Sequence, residues 1–176
     1  MRIIAGSRKG HKIAAPKGQD TRPTGDRVRE AAFNLIGPVD GASVLDLFAG
    51  SGAMGLEALS RGAGSATFVE ADARAAGAIQ DNLEKLRLTG ARIVREDALR
   101  ALAAEGSAGR KYDLVLVDAP YDLYPDLEPT LARYLPPVLA EDALVVVETS
   151  ARVEPDLPLR QRTSRAYGSA RLTLFE

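Results

Sequence analysis

Apolar positions recur along the chain with two different periods. Runs rich in β-branched and other apolar residues at 43–48, 66–69, 92–95, 112–117 and 143–148 predict strands. Residues 52–61, 73–88 and 126–139 carry apolar side chains at three- and four-residue steps instead, as at Leu83 and Leu86 or Leu127, Leu131 and Leu135, and predict helices. The Ala-rich stretch 97–108 predicts one more short helix. Strand and helix in alternation describe an α/β, doubly wound, Rossmann-like fold: a mostly parallel sheet with helices on both faces. After residue 148 a linker marked by Pro155 and Pro158 leads to 160–166 and 171–175, which join through Gly168-Ser169 as a closing antiparallel hairpin.

The first 36 residues are organised differently. Short extended segments at 2–5 and 12–14, separated by 6–10, predict a hairpin. Thr24 or Asp26 then caps a helix to about Ile36, with Val28, Ala31, Ala32 and Leu35 on its apolar face and Arg27, Arg29 and Glu30 mostly elsewhere. Residues 1–30 hold eight Lys/Arg against Asp20, Asp26 and Glu30, so this end carries +5 while the remainder, 15 basic against 21 acidic, carries −6. A basic arm on an acidic body suits a polyanion, with Arg8, Lys9, Lys12, Arg22, Arg27 and Arg29 as candidate RNA contacts.

With 176 residues the chain can bury one sizeable core. It has no cysteine, hence neither a disulfide framework nor a thiolate nucleophile, and His11, its one histidine, has no partners at metal-ligand spacing. No metal is expected. The opening Met1-Arg2-Ile3-Ile4-Ala5-Gly6 lacks the apolar core of a signal peptide, and a cytoplasmic location is expected.

Two motifs follow buried strands. Gly50-Ser51-Gly52-Ala53-Met54-Gly55 has the G-x-G-x-x-G spacing that serves a tight turn, close approach of backbone to a ligand, and helix packing. Asp46 at the strand end, with Phe48 after it, places a carboxylate where it would oppose a pyrophosphate but suit the ammonium of S-adenosylmethionine. Glu70 ends the second strand, where an acidic side chain accepts the hydroxyls of an adenosine ribose in either cofactor class. Asp97, with Ala98, follows the third strand and is placed either for an adenine amino group or as a helix N-cap.

The second motif is Asp118-Ala119-Pro120-Tyr121, after the fourth strand. In a sheet ordered 3-2-1-4-5, strands 1 and 4 are neighbours at the topological switch point, so both motifs open on one crevice. An exocyclic amine on a nucleobase is a poor nucleophile because its lone pair is delocalised into the ring. Acceptors on its two N–H groups, the Asp118 carboxylate and the Ala119 carbonyl, favour a pyramidal nitrogen aimed at a methyl donor. Pro120 stiffens the turn and Tyr121 offers a stacking face. Glu148, ending strand five, is the remaining nearby carboxylate.

The residues resemble bacterial small-subunit ribosomal RNA guanine-N2 methyltransferases of the RsmD type. The likeness runs through Arg2–Gly6, Arg22-Pro23-Thr24, Arg27–Glu30, Phe33-Asn34, Asp46 to Gly62, the Asp118–Tyr121 turn and Tyr167-Gly168. It implies an S-adenosylmethionine-dependent methyltransferase fold at 37–176 preceded by an RNA-binding extension at 1–36. It also implies transfer to N2 of a loop guanine in 16S ribosomal RNA near the ribosomal P site, on an assembling small subunit; a monomer is expected. The family usually has proline where this chain has Ala119. The alternatives are an amino-methyltransferase for adenine N6 in DNA or a glutamine amide, and a non-catalytic ribosome-assembly protein.

Overall fold

The computed structural model describes residues 1–16 and 25–176. Its elements are α1 (Asp26–Ile36), β1 (Ser43–Leu47), α2 (Ala53–Ser60), β2 (Ser65–Val69), α3 (Ala73–Leu86), β3 (Ala91–Val94), α4 (Ala98–Ser107), β4 (Tyr112–Val117), α5 (Tyr124–Tyr134), β5 (Leu139–Ser150), β6 (Gln161–Tyr167) and β7 (Ala170–Phe175). They form one seven-stranded sheet in the order β3-β2-β1-β4-β5-β7-β6. The first five strands run parallel and the last two close the edge antiparallel. Among the described residues no helix is long and apolar enough to cross a membrane.

The period-2 alternation of the strands sorts side chains into two cores. Val44, Phe68, Leu114, Leu116, Val146 and Leu172 face the side packed by α1, α2 and α3. Leu45, Leu47, Val69, Val115, Val117, Val145 and Val147 face α4 and α5. Ile3, Ile13, Phe33 and Ile36 join the first cluster, so the N-terminal extension shares the core of the sheet instead of building its own.

Three expectations need correction. The helix expected over 126–139 begins at Tyr124 and stops at Tyr134, because Pro136 and Pro137 cannot donate the bonds of the next turn; they form a 3-10 turn from which β5 starts. β5 is accordingly longer than 143–148, reaching Leu139 opposite Tyr112 through a register shift, and Ser150 opposite Ala170. Thirdly, α1 has Gly25, not Asp26, at its N-cap, and Thr24 lies outside the described residues. The expected hairpin at 2–5 and 12–14 is present as a short ladder, Arg2 bridging Lys12, with Ile3 N–H donating to His11 O at 2.9 Å and Ile13 N–H to Met1 O at 2.9 Å.

The buried stripe of α1 is Arg29, Ala32, Phe33 and Ile36, one position on from the expected Val28, Ala31, Ala32 and Leu35. The steps are those of an amphipathic helix, with an arginine at the first core position. Arg29 is fully buried beside the fully buried Glu57 of α2, its Nε donating to Oε1 at 3.3 Å. Its Nη2 donates to Asp26 Oδ1 at 2.9 Å and to the Arg2 carbonyl. Glu57 also accepts the N–H groups of Ile4 at 2.8 Å and Ala5 at 3.1 Å, and Arg61 Nε at 2.9 Å. One carboxylate thus ties the extension, α1 and α2 together. Gly6 completes the contact: with φ at 85°, a Cβ there would lie 1.9 Å from the Ser60 carbonyl oxygen.

Candidate functional site

The loop after β1 is built on left-handed backbone. Phe48, Gly50 and Gly52 have φ of 57°, 58° and 81°. For phenylalanine this conformation costs about 1–3 kcal/mol and persists only where the surroundings enforce it, as at ligand sites. Among the described residues a Cβ on Gly50 would meet nothing within 4 Å, whereas one on Gly55 would sit 2.3 Å from the Phe68 ring. The first glycine serves the turn. The third lets α2 lie against β2.

Carboxylates hold this loop from below and beside it. Asp46 is 2% exposed, and its Oδ2 accepts the Gly55 N–H at 2.9 Å. Glu70 is half-buried; its Oε2 accepts the Gly50 N–H at 2.8 Å and its Oε1 the Asp72 N–H at 3.1 Å. Asn82 of α3 donates to the Ser51 carbonyl at 3.2 Å while bonding both backbone groups of Ala14, which connects the extension to the loop. Asp97 is the N-cap of α4, Oδ1 accepting from Leu99 at 3.1 Å and Arg100 at 3.0 Å; Ala98 behind it is buried.

Burial pushes the Asp46 carboxyl well above the usual aspartate range. The Gly55 N–H draws it back, and the charges of Asp118 and Glu70 raise it further. A carboxyl that holds its proton more tightly when folded lowers stability as pH rises from about 3.9 through its folded value. Asp46→Asn keeps an acceptor for Gly55 and removes that cost. Its melting temperature should exceed the wild type's at pH 8 by about 2–4 °C for each ~1 kcal/mol relieved. The gain should shrink as melts are taken toward pH 4.5, and a difference constant with pH would exclude Asp46 as the titrating group.

At the end of β4 Asp118 is half-buried, Ala119 is buried and Pro120 is exposed. The Pro120 carbonyl accepts the N–H groups of Leu123 at 3.0 Å and Tyr124 at 3.2 Å, turning the chain into α5. The half-buried Tyr121 donates its hydroxyl to Glu148 Oε1 at 2.6 Å. Because strand side chains alternate, Asp46, Asp118 and Glu148 share parity with Val44, Leu116 and Val146, and all come to the side covered by α1 and α2. Asp118 and Glu148 line one small cleft with Ala32, Met54, Leu116 and Leu172. The sequence placed Glu148 only near Asp118; its signal was a carboxylate of the right parity ending a buried strand.

The cationic candidates divide. Lys9, Lys12 and Arg27 are exposed. Arg8 is half-buried, its guanidinium donating to the Leu86 carbonyl and to Arg87 O at 3.1 Å, where it closes the end of α3. Arg29 is interior, which corrects its reading as an RNA contact: its guanidinium faces Glu57 and not solvent. Arg22 lies outside the described residues.

Residues 1–176 match the protein family described as Conserved hypothetical protein 95. The chain is 36% identical over 168 residues to ribosomal RNA small subunit methyltransferase D of Haemophilus influenzae, covering 90% of this chain and 81% of that protein. With the Escherichia coli K12 protein of the same name it is 44% identical over 122 residues, covering 69% of this chain and 60% of that protein. A solved structure of a hypothetical protein from Thermus thermophilus matches with a TM-score of 0.86 at 31% identity, covering 100% of this chain and 99% of that one.

Proposed function

The chain belongs to the family described as Conserved hypothetical protein 95, and from that premise we propose that it methylates the exocyclic N2 of a guanine in 16S ribosomal RNA, using S-adenosylmethionine. The observation that carries the reading is the meeting of two motifs: the glycine loop after β1 and the Asp118–Tyr121 turn after β4 end neighbouring parallel strands, Leu47 opposite Val117. That is where open α/β sheets bind ligands.

The residues around the loop fit the cofactor. The charges of Asp118 and Glu70 both act on Asp46 at this crevice, and such a group of carboxylates would repel a pyrophosphate but attract a cation. When bound, S-adenosylmethionine supplies an electrophilic methyl group. Glu70 would hold the ribose hydroxyls with acceptor capacity beyond its two backbone bonds, Asp46 would offer negative charge beneath the loop, and Asp97 with Ala98 would border the adenine. Asp118 and the Ala119 carbonyl accept the two N–H groups of the target amine and direct its lone pair. The nitrogen would gain positive charge on accepting the methyl, whose bond to the cofactor sulfur breaks with the electron pair staying on sulfur to leave the neutral thioether; the Asp118 carboxylate would offset that charge until one proton leaves to solvent.

The extension at 1–36 serves the RNA in this reading. Exposed Lys9, Lys12 and Arg27 would meet phosphates, with Arg22 beside them in sequence, while Arg8 contributes mainly to seating the arm. The protein would act as a cytoplasmic monomer on the small subunit or its assembly intermediate. Incubation with small subunits from cells lacking the activity, followed by mass spectrometry of the digested RNA, should yield N2-methylguanosine at one position. Methyl on adenine or on protein would replace this substrate assignment, and no transfer to any substrate would favour an assembly factor without catalysis.

A further inference from the structure

The guanine-N2 reading leaves open how the site rejects other purines. β4 and β5 are parallel neighbours with Val117 opposite Val147, so Asp118 and Glu148 take the next register position on adjacent strands. Adjacent strands lie about 4.7–4.9 Å apart, and both residues line the cleft beside Met54 and Ala32. Glu148 is 8% exposed and already accepts the Tyr121 hydroxyl at 2.6 Å. A carboxylate has about four acceptor sites, so it can hold a tyrosine and a ligand donor together.

The Watson–Crick edge of guanine carries two kinds of donor side by side, the N1–H and the N2 amino group. Resting on the proposed guanine-N2 transfer, we infer that Glu148 is the residue that selects guanine, accepting the N1–H of the target base while Asp118 accepts from the adjacent amine. A purine without the N1 proton points a lone pair at Glu148 instead. A shielded carboxylate facing a lone pair loses a charge-assisted bond and gains a repulsion, and sites built to bond an N–H reject analogues lacking it strongly. Tyr121 has a second part here: its bond to Glu148 fixes the carboxylate at the edge of the base.

The test uses small subunits reconstituted with 2-aminopurine at the mapped target, a base that keeps the 2-amino group and lacks the N1 proton. Wild-type kcat/KM should favour guanine by about 100-fold or more. In Glu148→Gln the side-chain amide can turn its NH2 toward the N1 lone pair, so the preference should fall at least about tenfold. The missing O6 of 2-aminopurine affects both enzymes alike and cancels in that comparison. Tyr121→Phe removes the hydroxyl that fixes the carboxylate, and its preference for guanine should fall part of the way toward that of Glu148→Gln. A Glu148→Gln enzyme that loses the same factor on both substrates would overturn the inference and leave Glu148 as a brace for Tyr121. If wild type transfers no methyl to N2 of guanine itself, the underlying reading fails, and this inference with it. Unfolding midpoint and S-adenosylhomocysteine affinity, both expected near wild type in Glu148→Gln, separate these results from misfolding.

Discussion

Replacing Asp118 by alanine should leave S-adenosylmethionine affinity within a few-fold of wild type and slow methyl transfer by about 100- to 1000-fold, as for other acceptors or donors that act chiefly in the transition state. The reason is position. Asp118 follows β4 on the side facing Met54 and Glu148, while the glycine loop is held by the bond from the Gly50 N–H to Glu70 and that from the Gly55 N–H to Asp46. Removing the Asp118 carboxylate therefore leaves the loop's own bonds intact. Asp118→Asn is the finer probe: it keeps one acceptor oxygen but cannot offset the charge formed on nitrogen, so its rate should fall between the other two. Single-turnover transfer at saturating cofactor reads the chemical step separately from binding. A near-normal rate for Asp118→Ala would remove it from the chemistry.

Glu57→Ala should cost about 3–5 kcal/mol of folding stability, the range for taking one partner from a buried ion pair. Glu57 is fully buried and receives Arg29, Arg61 and the N–H groups of Ile4 and Ala5. Without it the Arg29 guanidinium, whose Nη1 has no hydrogen-bond partner among the described residues, keeps among them Asp26 and the Arg2 carbonyl. Since whole domains have stabilities of only about 5–15 kcal/mol, the variant should unfold at much lower denaturant. Arg61→Ala is the contrast. Its side chain is 19% exposed and lies 4.7 Å above the Phe33 ring, and its loss should cost about 1 kcal/mol, in keeping with a partly solvated pair and a cation–π contact. Urea titrations of both variants measure the difference. Equal, small losses would show that the extension is seated by apolar contacts such as those of Ile3 and Ile13 and not by the buried charges.

Local periodicity accounts for most of what could be read in advance. β4 matches the expected 112–117, β1 and β2 differ from the expected runs by one residue at one end, and α3 begins at the expected Ala73. In each case the alternation or the three- and four-residue step is a property of neighbouring residues, and no distant contact is needed to set it. The order β3-β2-β1-β4-β5 is one of the few windings open to parallel strands joined by helices. Once that order is granted, the glycine loop and the Asp118–Tyr121 turn must open on one crevice.

Charged residues were a different matter. By itself the sequence determined the alternating α/β frame, the two motifs at the strand ends and the excess of positive charge on the N-terminal segment. Only the tertiary structure decided which charges face water. Arg29 looked like surface because arginine is costly to bury, and its partner Glu57 lies 28 residues away on another helix. Arg8 looked like a free cation until its guanidinium met the end of α3, some 80 residues on. Asp97 proved to cap a helix, and Tyr121 found Glu148 across a strand boundary 27 residues distant. Periodicity reports the face a residue occupies relative to its own neighbours, whereas a charge is settled by which opposite group the assembled sheet brings within about 3 Å, and that pairing exists only once the layers are packed.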